Sequence, residues 1–240
     1  MDPNGAASVP VADKRILIVE DDVDSASILE AYLRKDQFLV AVAEDGQHTL
    51  DLYQRWRPHL VLLDIMLPKL SGIEVLSAIR KSGGTPVIMV TAVGDEPEKL
   101  GALRYGADDY VVKPYNPREV VARVHAVLRR VVPSHSDGSE LRHERLTVDP
   151  LAVRATVRSA ASDTEEAIDL TPSEFNILHA LLRSPFKAFT RSDLVDGLAG
   201  SVDLPNRVVD THVHNLRRKL EQHGITGVLV TVRGVGYRFQ

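Results

Sequence analysis

Five short aliphatic runs, separated by segments of helical periodicity, occupy residues 15 to 113, and no other feature limits the fold so strongly. Arg15 to Glu20, Phe38 to Ala43, Val61 to Asp64, Pro86 to Val90 and Asp109 to Val112 have the length and aliphatic content of strands. Between them Ile28, Leu29, Tyr32 and Leu33 follow helical spacing, and Gly46 to Trp56, Gly72 to Arg80 and Lys99 to Tyr105 read as helices. Strands joined by crossover helices lie parallel, with right-handed connections, so this half should form a doubly wound, five-stranded parallel α/β sheet.

The polar residues of these runs collect at one end. In Val61 to Pro68 five of the eight residues are branched aliphatics, as in a strand covered on both faces, and Asp64 interrupts them where the strand should stop. A lone aspartate there would be read as a cap for the next turn. Glu20 and Asp21, Thr91 and Lys113 stand at comparable strand ends, which is where open α/β sheets bind ligands. The consecutive carboxylates Glu20, Asp21 and Asp22 repel one another, and Mg²⁺ relieves such a cluster by taking oxygens from one or two of them plus waters and a phosphate. Asp22 and Asp24 also suit a helix N-terminus. A carboxylate nucleophile for phosphoryl transfer needs a bridging cation, a second positive charge and a hydroxyl donor. Glu20 and Asp21, Lys113 and Thr91 supply these to Asp64.

With these residues in place, residues 14 to 131 resemble the flavodoxin-like receiver domains of two-component response regulators. The motifs are Ile-Leu-Ile-Val-Glu-Asp-Asp at 16 to 22, Leu-Leu-Asp-Ile-Met-Leu-Pro at 62 to 68, Val-Thr-Ala at 90 to 92, and Gly-Ala-Asp-Asp-Tyr-Val-Val-Lys-Pro-Tyr at 106 to 115. The resemblance implies that Asp64 accepts phosphate from a sensor histidine kinase. It implies Mg²⁺ on Asp21 and Asp64, on Glu20 through water, and on the Met66 backbone carbonyl. Lys113 would contact the phosphate, and Thr91 with Tyr110 would form a switch pair. It also implies dimerisation on phosphorylation through the face around residues 99 to 130, using Lys99, Asp108, Asp109, Glu119, Arg123 and Arg130, with Lys99 to Glu119 and Asp109 to Arg123 paired across subunits. Tyr105 stands where many relatives carry an acid, so one pair should be missing.

Two enzyme classes are disfavoured. Haloacid-dehalogenase-type phosphatases place an acid two residues after the nucleophile, and here that place holds Met66. No Gly-x-Gly-x-x-Gly follows a strand, which removes the dinucleotide-binding fingerprint. Met66 and Val93, two residues past Asp64 and Thr91, cannot orient water, so the phosphoaspartate should hydrolyse slowly. The chain is therefore read as a phosphate acceptor and not an enzyme.

Val132 to Glu140 is polar, carries Pro and Gly without periodicity, and reads as a linker; residues 1 to 13 read as a loose tail. Leu141 to Asp149, Ala152 to Arg158 and Ala167 to Leu170 read as strands. Thr171-Pro-Ser-Glu174 has the form of a capping box with proline at the first helical position, followed by Phe175, Ile177, Leu178, Leu181 and Leu182. A second helix is read at Asp193 to Leu198. In a third, Asn206 to Gln222, Val209, Val213, Leu216 and Leu220 form a buried stripe, leaving Arg207, Thr211, His214, Asn215 and Arg218 on the opposite face. Leu229 to Phe239 reads as a hairpin with Arg233 at its tip.

Net charge is −4 overall, yet residues 204 to 240 carry six arginines and lysines against two acids. This concentration of positive charge beside a helix and hairpin suits DNA. Residues 141 to 240 resemble the winged helix-turn-helix effector domain of the OmpR/PhoB class, an α+β fold. The carrying motifs are Leu-Thr-Pro-Ser-Glu-Phe at 170 to 175, Arg-Val-Val-Asp-Thr-His-Val-His-Asn-Leu-Arg-Arg-Lys-Leu at 207 to 220, and Thr-Val-Arg-Gly-Val-Gly-Tyr-Arg-Phe at 231 to 239. The resemblance implies Arg207, Thr211, His214, Asn215, Arg217 and Arg218 near bases or phosphates and Arg233 in the minor groove. Asp196-Gly-Leu-Ala-Gly200 departs from the usual tryptophan before glycine, next to the loop Ser201 to Pro205 that meets RNA polymerase in some relatives. His212 and His214 lie on different helix faces, so with His223 they make a poor zinc site. With no cysteine and no apolar run of membrane length, the expectation is a cytoplasmic DNA-binding response regulator that acts at tandem promoter half-sites.

Overall fold

The computed structural model describes residues 13–92, 106–130, 139–159, 164–199 and 207–240. Residues 13–130 build a five-stranded parallel sheet from β1 (Arg15–Val19), β2 (Leu39–Ala43), β3 (Leu60–Asp64), β4 (Val87–Ala92) and β5 (Asp109–Lys113), in the order β2-β1-β3-β4-β5. The helices are α1 (Val23–Lys35), α2 (Gly46–Trp56), α3 (Gly72–Ser82) and α4 (Pro117–Arg130). One apolar layer joins Ile16, Ile18, Leu62 and Ile88 to α1 and α4; the other joins Leu17, Val61, Leu63 and Met89 to α2 and α3. The central β3 is buried at every position, which is why its sequence is a continuous aliphatic run and not an alternating one. The expected helix at Lys99 to Tyr105 lies outside the described residues.

Two glycines and two caps fix the site's loops. Gly72 opens α3 so close to the end of β3 that a Cβ there would overlap the Asp64 carbonyl oxygen. Ser71 and Glu74 form a capping box at this end, and Asp22 caps α1 by accepting from Ser25 N at 2.7 Å. Gly46 likewise leaves no room for a Cβ beside Leu70. The strand order reverses between β1 and β3, so the loops after these two strands diverge and leave a crevice between Glu20 and Asp64.

The second half has a four-stranded antiparallel sheet of β6 (Leu141–His143), β7 (Leu146–Asp149), β8 (Arg154–Arg158) and β9 (Glu165–Ile168). Three helices follow, α5 (Pro172–Arg183), α6 (Arg191–Ala199) and α7 (Arg207–Gln222), with a hairpin of β11 (Leu229–Val232) and β12 (Gly236–Phe239). The expected single strand at Leu141 to Asp149 is a hairpin, turned at Glu144, whose φ is 50°. A two-residue strand, β10 (Phe189–Thr190), extends the wing sheet and went unread because two residues carry no periodicity. The stripe Val209, Val213, Leu216 and Leu220 of α7 joins Phe175, Leu178, Leu181 and Phe239 in one core. Most of the linker, and the loop Ser201 to Pro205, lie outside the described residues.

The halves are packed together. α4 contacts α5 and α6, and Ser173 Oγ, at the start of α5, donates to Asp108 Oδ1 at 3.2 Å. Val208, in the first turn of α7, is 1% exposed and belongs to the same apolar cluster as Val87, Met89 and Ala107.

Candidate functional site

Asp64 ends β3 with its carboxylate held from both sides. Lys113 Nζ, from the end of β5, donates to Asp64 Oδ2 at 2.6 Å and reaches Glu20 Oε2 at 2.6 Å. The Met66 backbone N–H donates to Asp64 Oδ1 at 2.9 Å. Glu20 and Asp64 are buried while Asp21 is exposed, and one carboxylate oxygen from each lies within 4.8 Å of the other two. Burial pushes the Glu20 carboxyl above its ordinary range, against the lowering effect of its bond to Lys113, and the Asp64 charge adds to the rise. Lys113 is itself partly desolvated, but its bonds to Asp64 and Glu20 more than offset this and raise its pKa. Three carboxylates against one ammonium leave a surplus of negative charge made of hard oxygens, open to solvent at Asp21. Such a donor set fits Mg²⁺ and suits no soft metal. The residues expected around the phosphate are thus together.

Thr91, 4% exposed, is the penultimate residue of β4 and lies opposite Val112 of β5 in the register. Tyr110 is half-buried against the apolar layer that contains Met89. Tyr115, past the cis Lys113–Pro114 bond, was not singled out by sequence; it packs against the apolar layer under α1 and α4, and burial and then the Glu20 charge raise its hydroxyl pKa.

Among the expected dimer residues, Asp108, Asp109, Glu119 and Arg123 are engaged within this one chain. Arg123 Nη1 reaches Asp109 Oδ2 at 3.1 Å and its Nη2 reaches Glu119 Oε1 at 2.8 Å. The Asp109–Arg123 pair expected across subunits therefore closes inside the monomer, because α4 lies directly over β5. Asp108, which is 0% exposed, accepts from Arg80 Nη2 at 2.8 Å and the Val87 N–H at 3.0 Å as well as from Ser173. Lys99, Tyr105 and the Arg130 side chain lie outside the described residues.

The helix expected to meet DNA is partly covered. His214 and Arg218 are exposed, but Thr211 is 7% and Asn215 3% exposed, although both lie opposite the helix's own core stripe. Sequence reading put that face in solvent; in the folded chain these two residues are buried. Arg80 and Gly106 from that half, with Glu174, Asn215, Arg218 and Lys219, line a cavity of about 140 Å³ between the two halves. Lys219 pairs with the buried Glu174 at 2.7 Å. Arg217, also expected near DNA, donates to the Leu229 carbonyl at 2.9 Å and ties α7 to β11. Arg233 is exposed in the turn between β11 and β12. The Arg207 side chain is outside the described residues. Val208, Arg80 and Ser173 were missed because only the docking of the two halves gives them a role.

Comparison with known proteins agrees with both halves. Residues 16–125 match the family model for the response regulator receiver domain, and residues 165–239 that for the transcriptional regulatory protein C-terminal domain. The DNA-binding response regulator MtrA of Mycobacterium tuberculosis is 39% identical over 227 residues, 94% of this chain and 96% of that one. A probable transcriptional regulator, ycf27 of Cyanophora paradoxa, is 36% identical over 231 residues, 95% of this chain and 96% of the relative. Among solved structures, a point mutant of RitR superposes with a TM-score of 0.75 at 26% identity, covering 95% of this chain and 99% of that one. Superposing one half alone would not reach that value, so the two halves are arranged much as they are in that structure. DrrB, an OmpR/PhoB homologue of Thermotoga maritima, superposes at 0.50 with 29% identity and covers 95% of this chain and 99% of its own.

Proposed function

This chain belongs to the two-component response regulators that join a receiver domain to a DNA-binding transcriptional regulatory domain, and from that premise we propose that phosphoryl transfer to Asp64 uncovers α7 for promoter DNA. The observation that carries the proposal is the conjunction of Asp64, bonded to Lys113 at 2.6 Å, with α7, whose Val208 is buried in the receiver's own apolar layer.

A phosphohistidine of the partner kinase loses its phosphoryl group as the N–P bond breaks and an Asp64 oxygen forms the new O–P bond. Lys113 turns from the carboxylate to the phosphoryl oxygens. Glu20, Asp21 and Asp64, with the Met66 carbonyl, would hold Mg²⁺, whose charge offsets that of the incoming group. Phosphorylation adds about −1.5 to −2 charge and strong acceptor oxygens. The Thr91 hydroxyl is drawn to them, Tyr110 takes the space it leaves, and the face of β5 and α4 that holds α5 and α6 changes shape. Release of the DNA-binding domain frees the same face, with Asp108, Asp109, Glu119 and Arg123, for a second copy. Pairs of released domains then bind tandem half-sites, in reach of RNA polymerase.

In this reading the chain acts in the cytoplasm and turns over no free substrate. Among the described residues no helix is long and apolar enough to cross a membrane.

Selection from random DNA duplexes tests the proposal, with wild type and Asp64→Asn compared in Mg²⁺ and beryllofluoride, a phosphoryl mimic. Enrichment of a repeated motif by wild type alone supports it. Equal enrichment by both proteins removes control by Asp64, and enrichment by neither removes the DNA reader.

A further inference from the structure

Asp210 sits in the first turn of α7, so its carboxylate stands on the helix assigned to DNA, a polyanion that would repel it. Two other elements converge on this group. Arg191 Nε, at the start of α6, donates to Asp210 Oδ1 at 2.7 Å, and the Tyr237 hydroxyl, from β12 of the wing, donates to the same oxygen at 2.6 Å. The Arg191 guanidinium lies 5.4 Å from the Tyr237 ring centroid, and the ring itself is packed in the domain core. Seven residues on, about 10 Å along the helix axis, Arg217 donates to the Leu229 carbonyl of β11 at 2.9 Å. Both strands of the wing are therefore attached to α7, one at each of two successive places on its length. An acid in a first helical turn also complements the macrodipole. That role requires neither the arginine nor the tyrosine.

We propose that Asp210 is a positioning residue for DNA binding: held by Arg191 and Tyr237, it fixes the wing against α7 so that Arg233 and the helix engage DNA together. The same pairing screens its charge from the phosphates. This rests on the DNA-binding assignment of the domain and not on control by Asp64.

The chain has no cysteine, so spin labels at Val235→Cys, in the wing turn, and Glu221→Cys, near the end of α7, can be placed in the whole 240-residue chain without background. The wild-type label distance is expected to be single and narrow. Tyr237→Phe keeps the ring and removes the hydroxyl, and Asp210→Asn keeps the shape and removes the charge; each should broaden or shift that distance. In a second arm, binding to a mixed-sequence duplex is measured with Mg²⁺ and beryllofluoride. Each variant should lose about fivefold or more in affinity and about one unit of salt slope, as Arg233→Ala does, and lose little further when combined with Arg233→Ala. An unchanged label distance in both variants overturns the proposal. So do losses that add in full to that of Arg233→Ala, since the clamp would then act elsewhere than through the wing.

Discussion

Met66 is 73% exposed at the mouth of the site, two residues after Asp64, where its thioether, a weak acceptor with no donor, cannot hold an attacking water in line. Met66→Asn should therefore shorten the half-life of the phosphoaspartate; a half-life that stays the same or lengthens in a phosphate-release assay contradicts this. Gly72 acts from the other side of the acid. Because its Cα approaches the Asp64 carbonyl too closely for a Cβ, Gly72→Ala should cost about 1 to 3 kcal/mol in a urea titration and slow phosphorylation of Asp64. Wild-type stability and phosphorylation rate in that variant would contradict it. At this scale the sequence was most informative about groups that collect at strand ends, since Asp64, Glu20 and Lys113 are set by the parallel topology alone. It was silent on Gly72's reason and on Tyr115, which depend on how two loops pass each other.

The Thr171 capping box was legible as an element signal, and the structure places Thr171 and Glu174 in it. The second bond of Glu174, to Lys219, was not, because it joins residues 45 apart in sequence. Burial raises the Glu174 carboxyl above 4.5, against the opposing pull of Lys219. The folded protein thus holds the proton more tightly than the unfolded chain. Its stability contribution is intact below about pH 4.5 and is lost as pH rises through the folded value. The melting temperature of Glu174→Gln relative to wild type should therefore move in the variant's favour as pH rises above about 4.5, whereas a difference that stays flat with pH would contradict the assignment. α4 teaches the complementary lesson. Its stripe Val120, Val124 and Val127 is present in the sequence, yet within the face around residues 99 to 130 the sequence reading bounds only Lys99 to Tyr105 and Asp109 to Val112 as elements and gives this last helix no limits. The hairpin at Glu144 was hidden for another reason, since a positive φ at a non-glycine residue leaves no mark on residue type.

At the scale of the molecule, the docking of the two halves covers both part of α7, the helix expected to read DNA, and part of the receiver face expected to dimerise. Neither could be read from the sequence, because Val208, Thr211 and Asn215 have types that suit a groove contact as well as an interdomain one. Val208→Ala removes two buried methyl groups, about 1.5 kcal/mol of burial, from the closed state. Affinity of the unphosphorylated protein for its selected DNA should rise roughly tenfold, and an unchanged affinity would separate Val208 from closure. The central claim, that phosphorylation uncovers α7, is tested most directly by alkylation of Thr211→Cys, the sole thiol in an otherwise cysteine-free chain. Reaction with a small maleimide should be slow in the unphosphorylated protein, rise at least about tenfold with Mg²⁺ and beryllofluoride, and stay slow when Asp64→Asn is added. A rate that is equally fast before and after the mimic, or equally slow, would contradict the account.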